Sequence, residues 1–559
     1  MKTIFRKSNR GFICAMAALL LCQLAVLLYF GSKKAGFHED ELYTYYSTNK
    51  TAGLFVNDRQ WMEREQLFND FVVLPGEEFR YHVVKQMQSW DVHPPLYYYI
   101  FHTACSLFPG LFSKWLGIGV NLLAYVGCYW LLGYVAYTAA AWQGQEAVKR
   151  GKLLAFLTCL GWGFGSAVIS GVMFIRMYQW LTLFVLLCLS LHLRAMEKED
   201  FGIRHFLLPL GVTVFLGFLT QYYYIIFHFF LGAGFCLALL RRKEWKGLAL
   251  YGLFCGGGFL GAVLYYPASL SHIFRGYRGT EAVAEFGDVS NTWDRLRFFY
   301  GLFDDYMMNG TLTWWLLGIC LLGVTAGYVR KRKGGAGGVN GAVVLMAFAC
   351  GGYFFTVSKT ALLLGETSNR YQLPVYGLFL FLVLYGAWCL LAETLLWAVK
   401  KKNQGPEGKG GSGPGARQRY GRGELLLAAA LGLALLLADG LAVRAGRVFF
   451  LYEEEKDRMA FVQEHREDTV AVFYNEASPD HIWWLSDELM VYDRVFLASL
   501  GNREPIADGR IRESKRLLVY VADYEGQEES LRELLAENGQ WENCRVAAEK
   551  GLWTLYEAW

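Results

Sequence analysis

Long apolar runs dominate this chain, and short charged segments separate them. A window of about twenty residues, the length that crosses a hydrocarbon core, picks out runs at 11–30, 114–139, 153–174, 177–194, 204–220, 222–240, 247–267, 311–329, 341–363, 373–398 and 424–445. The first run follows Lys2, Arg6, Lys7 and Arg10 and lacks a small-x-small cleavage site, so a retained anchor with a cytoplasmic N-terminus is expected. Between the first two runs, Phe79, Val83, Met87 and Trp90 recur at helical spacing in a polar stretch, which predicts a helix lying on the membrane surface.

One apolar run is too short to place by length alone. It opens at His93-Pro94-Pro95-Leu96-Tyr97-Tyr98-Tyr99 and ends at Pro109-Gly110. If it stays in the interface, Lys149, Arg150 and Lys152 fall in the cytoplasm, as do the basic residues of 194–198, 241–243, 330–333 and 400–402. Counting it as a crossing would put the first of these clusters outside, against the positive-inside rule. The expectation is therefore an all-α polytopic membrane domain over 1–446 with about eleven transmembrane helices. Its first external loop, 31–110, holds interfacial helices, and 399–423 forms a Gly-rich, basic cytoplasmic linker.

After Phe450 the composition turns charged. Apolar runs at 470–474, 495–498 and 517–521 read as strands, and helical stretches are expected near 481–490 and 531–536. These predict a small extracytoplasmic α/β domain over 447–559, whose tryptophans Trp483, Trp484, Trp541, Trp553 and Trp559 are expected to pack around its own core.

Composition agrees with a multi-pass membrane protein, for which the plasma (inner) membrane is the expected location. Of 559 residues, 54% are hydrophobic and 19% charged, above the apolar share and below the charged share of a soluble domain. A net charge of +4 with no basic stripe gives no footprint for nucleic acid. Ten of the twelve cysteines sit inside apolar runs, and neither a disulfide framework nor zinc-type spacing is present.

The candidate chemistry gathers on the outer face. His38-Glu39-Asp40-Glu41 follows the first span, and His93, Arg176-Met177-Tyr178, Gln221-Tyr222 and Asn369-Arg370-Tyr371 sit at external span ends. Each has an ordinary explanation in snorkelling, the aromatic belt or a helix start. Together they set two lone arginines, a histidine and two carboxylates at headgroup depth, away from the basic loops. An anionic headgroup ligand accounts for the arginines, which grip phosphate bidentately, and a neighbouring carboxylate accounts for a reaction there.

In this order the motifs Asp40-Glu41, His93-Pro94-Pro95-Leu96-Tyr97-Tyr98, Arg176-Met177-Tyr178, Thr220-Gln221-Tyr222 and Arg370-Tyr371 resemble the GT-C membrane glycosyltransferases that use polyprenyl-phosphate sugars. The resemblance is to the group of protein O-mannosyltransferases and aminoarabinose transferases. It covers residues 1 to about 400, with departures at Gln221, where relatives often have His, and at His93, where the aminoarabinose pattern has Lys.

It implies transfer of one sugar from the lipid-phosphate carrier to a hydroxyl acceptor on the external face, with inversion. Asp40 would then be the general base and Glu41 an orienting carboxylate, since neighbours on a helix point about 100° apart. Arg176 or Arg370, with Tyr178, Gln221, Tyr222 or Tyr371, would hold the donor phosphate, and His93 would contact it. No cofactor is expected; a divalent metal would need His38, Glu39, Asp40 and Glu41 to converge, which four consecutive residues rarely do. Two other classes stay open, a secondary transporter and a non-catalytic scaffold of the same fold.

Overall fold

The computed structural model describes residues 10–49, 57–142, 145–333, 340–403, 422–502, 504, 506–522, 529, 532 and 543–559. Helix α1 (Arg10–Lys33) leads into a segment of short elements: α2 (Glu39–Asn49), β1 (Gln60–Glu63), α3 (Arg64–Asn69), α4 (Tyr81–Trp90) and α5 (Leu96–Ser106). The bundle continues with α6 (Lys114–Ala140), α7 (Gln145–Phe164), α8 (Ser166–Met173), α9 (Tyr178–Lys198), α10 (Leu208–Thr220), α11 (Tyr223–Arg241) and α12 (Trp245–Tyr265). Three shorter helices follow, α13 (Ala268–Phe274), α14 (Tyr277–Gly287) and α15 (Thr292–Met307), and then α16 (Leu312–Lys333), α17 (Gly341–Thr360), α18 (Asn369–Asn403) and α19 (Arg422–Arg444).

Among the described residues nine helices are long and apolar enough to cross a membrane, and the bent pair α7–α8 makes a tenth. Helix α16, apolar over Leu312–Gly323, occupies the remaining expected span. This is a multi-pass membrane protein. With eleven residues, α5 is about half the length a crossing needs. Helix α4 starts at Tyr81, two residues later than its apolar spacing suggested, and Phe79 precedes it at a positive φ of 58°. Of the linker expected at 399–423, residues 399–403 end α18 and 422–423 begin α19, while 404–421 lie outside the described residues, as does all but 532 of the helix expected near 531–536.

Hydropathy alone missed the break in the third span. The apolar run bends by 57° at Gly165, where a Cβ would meet the Met307 sulfur at 2.8 Å. The bend brings the turn Phe174–Arg176 back over α2. Inside the bundle, Gln23 donates to the Cys159 carbonyl (2.8 Å) and accepts from the Tyr125 hydroxyl (2.9 Å). That pair of bonds fixes α1 against α6 and α7 where an unpaired amide would be costly.

After α20 (Glu455–Glu464), the C-terminal part builds a sheet from β2 (Thr469–Tyr474), β3 (Arg494–Ser499), β4 (Leu517–Ala522), β5 (Cys544–Lys550) and β6 (Trp553–Ala558). The six-stranded order is β1-β3-β2-β4-β6-β5, with β3, β2 and β4 mutually parallel. Every residue of β4 is buried, as the unbroken apolar run Leu517–Val521 requires of a central strand covered on both faces. Edge strand β1 comes from the loop after α1 and pairs antiparallel with β3, Trp61 opposite Phe496. The small α/β domain is thus completed by a strand from the first loop, and the two are sewn together beside α2.

Candidate active site

Helix α2 places three carboxylates in its first turn, where the helix dipole favours negative charge. Glu41 points inward and is fully buried. Its Oε1 accepts the Ile175 N–H (2.8 Å), and its Oε2 accepts Lys34 Nζ (2.8 Å) and the His38 N–H (2.7 Å). Lys34 also donates to the Phe450 carbonyl (2.6 Å). One carboxylate therefore ties together the end of α1, the start of α2, the turn after α8 and the entry to the α/β domain. Burial pushes the Glu41 carboxyl up and the Lys34 ammonium down, and the pair counters both.

Asp40 points the other way, with 30% of its side chain exposed. Arg370 Nη1 lies 3.2 Å from Oδ2 and Arg176 Nη2 3.8 Å from Oδ1. Burial alone would raise this carboxyl, but Arg176 and Arg370 outweigh it and hold it well below the usual carboxylate range. His38 Nδ1 accepts the Asp40 N–H (3.1 Å), and burial together with Arg370 pushes its imidazole down to about 4. The ring is neutral at neutral pH. Among the described residues no three His, Cys, Asp or Glu side chains are placed to hold an ion.

Both guanidinium groups are buried, at 2% and 5% side-chain exposure. Arg176 Nη1 donates to the Tyr98 and Thr44 hydroxyls, each at 3.0 Å, and Nη2 reaches His93 Nε2 at 3.1 Å. His93 Nδ1 is 2.7 Å from Asp91 Oδ2. Because an arginine only donates, Nε2 accepts and Nδ1–H donates, so Asp91 fixes the tautomer of the ring that orients Arg176. Arg370 donates Nη2 to the Tyr371 hydroxyl (3.1 Å) and lies over the rings of Tyr371 and Phe174 at 5.0 and 5.2 Å. The Nε of both arginines is buried without a hydrogen bond, and Nη1 of Arg370 has only its ion pair with Asp40. Such donors are costly to leave unmade unless an acceptor arrives.

Asp40, His93, Arg176, Tyr178, Arg370 and Tyr371 thus form one cluster, with Tyr178 edge-on to Tyr371 at 5.7 Å. Gln221 and Tyr222 stand one layer out. The Gln221 side-chain Oε1 accepts the N–H of Tyr222 (2.6 Å), and the Tyr222 hydroxyl meets His272 Nδ1 (2.9 Å), whose other nitrogen faces the Ser89 carbonyl (3.3 Å).

Sequence reasoning missed Lys34, Thr44, Asp91, Phe174, His272 and Phe450. Of these, Asp91 had a local signal, a carboxylate two residues from a histidine. Phe450 stacks on Phe174 at 4.0 Å and meets His38 edge-on at 5.7 Å. Trp483 of the α/β domain packs on Tyr43 and Tyr46 at 5.3 and 4.9 Å, so that domain walls one side of α2.

No protein-family model and no curated protein matches this sequence. Among solved structures the chain is similar to ArnT from Cupriavidus metallidurans bound to undecaprenyl phosphate, at 12% identity and TM-score 0.48 over 98% of each chain. The apo state of ArnT gives 11% identity and TM-score 0.44 over 92% of this chain and 96% of that one. For the arabinosyltransferase EmbB from Mycobacterium smegmatis the values are 14% and 0.39, over 80% of this chain and 40% of that one. Likeness at this level assigns no activity, and the chemistry rests on Asp40 and its two arginines.

Proposed function

We propose that this protein is a membrane glycosyltransferase that moves a single sugar from a polyprenyl-phosphate carrier to a hydroxyl acceptor at the external face, with inversion. One observation supports the reading above the others. A single ionised carboxylate faces two buried guanidinium groups, each of which keeps a buried Nε–H without a protein hydrogen bond. A phosphate would supply the missing acceptors in bidentate geometry.

In the reaction the acceptor hydroxyl gives its proton to Asp40 while its oxygen bonds to the anomeric carbon. The bond from that carbon to the phosphate oxygen breaks, and the phosphate leaves with the electron pair. Arg176 and Arg370 stabilise the charge it gains, in a site where fixed donors need no reorganisation. In the free enzyme the same arginines make Asp40 a weak base. A bound phosphate competes for them and adds negative charge nearby, both of which raise the basicity of Asp40 when a proton must be taken. Glu41 holds α2 in place, and His93 orients Arg176 from behind. Tyr178 and Tyr371 wall the cluster, and Gln221 and Tyr222 support it from the next layer.

The test uses the purified protein in nanodiscs with a panel of polyprenyl-phosphate sugars and lipid, glycan and protein acceptors, read by mass spectrometry and by the anomeric configuration of the product. One donor should be consumed to polyprenyl phosphate with its sugar on an acceptor as the inverted anomer. Solute transport by proteoliposomes, with every donor left intact, would overturn the reading in favour of a transporter.

A further inference from the structure

A second anion site lies away from Asp40. Helix α1 ends at Lys33 and helix α6 begins at Lys114, and between these ends and the segment entering α20 there is a crevice of about 350 Å³. Its wall includes Ser32, Lys33, Lys114, Glu453 and Lys456. Three ammonium groups stand against one carboxylate, and among the described residues none of the three has a carboxylate within 4.0 Å. Lys34 adds no charge to the crevice, because its ammonium turns inward to Glu41 and the Phe450 carbonyl. Lys114 caps the end of α1 through the Ser32 carbonyl (3.4 Å) and the Lys34 carbonyl, which holds its charge at the crevice rim.

The surroundings identify the class of anion. Both helices change at this level from membrane span to polar chain. Below the crevice they present Leu28 and Tyr29 from α1, and Trp115 and Leu123 from α6, all between 42% and 66% exposed. A free anion would need the cations alone. An anionic phospholipid would use both features, with its phosphate against Lys33, Lys114 and Lys456 and its acyl chains along the apolar flank. We propose that this crevice binds the headgroup of an anionic membrane phospholipid. Because Lys114 bonds the backbone of Lys34, which anchors α2 through Glu41, the lipid would brace the helix that carries Asp40. The binding itself does not depend on the proposed sugar transfer.

The test titrates delipidated protein in neutral detergent with short-chain phosphatidylglycerol, phosphatidylcholine or inorganic phosphate, by native mass spectrometry and thermal shift. Wild-type protein should prefer phosphatidylglycerol to phosphatidylcholine by about tenfold, roughly the effect of losing one or two surface cations near an anionic headgroup. The double variant Lys33→Gln/Lys456→Gln spares the backbone bonds of Lys114 and should lose that preference. The charge-matched control Lys246→Gln/Lys515→Gln, at two exposed positions elsewhere, should keep it. Equal binding of the two lipids, or a preference unchanged in the double variant, would overturn the proposal. Inorganic phosphate binding as tightly as phosphatidylglycerol would overturn it too, since no lipid would then be recognised.

Discussion

Replacing Lys34 by methionine should unfold the site from its edge. The Lys34–Glu41 pair has no exposed side-chain surface on either partner, and its charges are 2.8 Å apart. At an effective dielectric of about 20 the attraction at that distance is about 6 kcal/mol, much of it offset by desolvation. Removing one partner is the worse case, because Glu41 stays buried with only the Ile175 and His38 N–H groups; such losses run to about 3–5 kcal/mol. The defect should also depend on pH. Burial already raises the Glu41 carboxyl, and Lys34 is the largest influence lowering it. Without Lys34 it rises further, so the folded state binds a proton that the unfolded state has released at neutral pH. The stability lost is therefore greatest near pH 8 and shrinks as the pH falls toward the ordinary glutamate range of about 4.3. Denaturation in mixed micelles across pH 5–8 measures this. Lys34→Met/Glu41→Gln, with no charge left buried, should be more stable than Lys34→Met. A loss below about 1 kcal/mol that ignores pH, or a double variant as weak as the two singles summed, would refute the reasoning.

Three further outcomes follow from the same geometry. Arg176→Ala and Arg370→Ala should each lower the transfer rate by about 10²–10³ and weaken donor use while leaving membrane insertion intact; donor kinetics unchanged in both would remove the phosphate clamp. Because Arg176 and Arg370 hold Asp40 ionised, kcat/KM should show no acid limb from this group within the usual carboxylate range. The limb in kcat, which reports the donor-bound state, should lie at higher pH; coincident limbs would show that the phosphate does not draw the arginines from Asp40. Asp91→Ala should cost roughly 10- to 100-fold in kcat/KM through the loss of one charged hydrogen bond to His93, and Asp91→Asn, whose amide oxygen can still accept Nδ1–H, should recover part of it. No difference between these two variants would remove Asp91 as the residue that sets the tautomer.

Hydropathy and loop charge made the spans and the α/β tail legible because both depend on composition over twenty residues, which tertiary detail barely alters. The convergence of Asp40, His93, Arg176 and Arg370 could be anticipated because alternating spans force polar groups at one end onto one face. What stayed hidden was set by contacts far apart in sequence. Glu41 meets the N–H of Ile175 only because the chain bends at Gly165, and hydropathy does not register backbone direction. Strand β1 is four residues long with no alternation of its own, and only the exposed edge of β3 makes it a strand. The contact of His93 Nε2 with Arg176 joins residues 83 apart, and no local pattern announces it.

The central claim is that Asp40 takes the acceptor proton, and single-turnover transfer by Asp40→Asn with donor already bound tests it most directly. Asparagine removes the base but keeps the shape and removes an anion that competes with phosphate for Arg176 and Arg370. The variant should therefore bind donor as well as the wild type or better, and transfer should fall by about 10²–10⁴. Transfer at the wild-type rate from the bound donor would contradict the assignment.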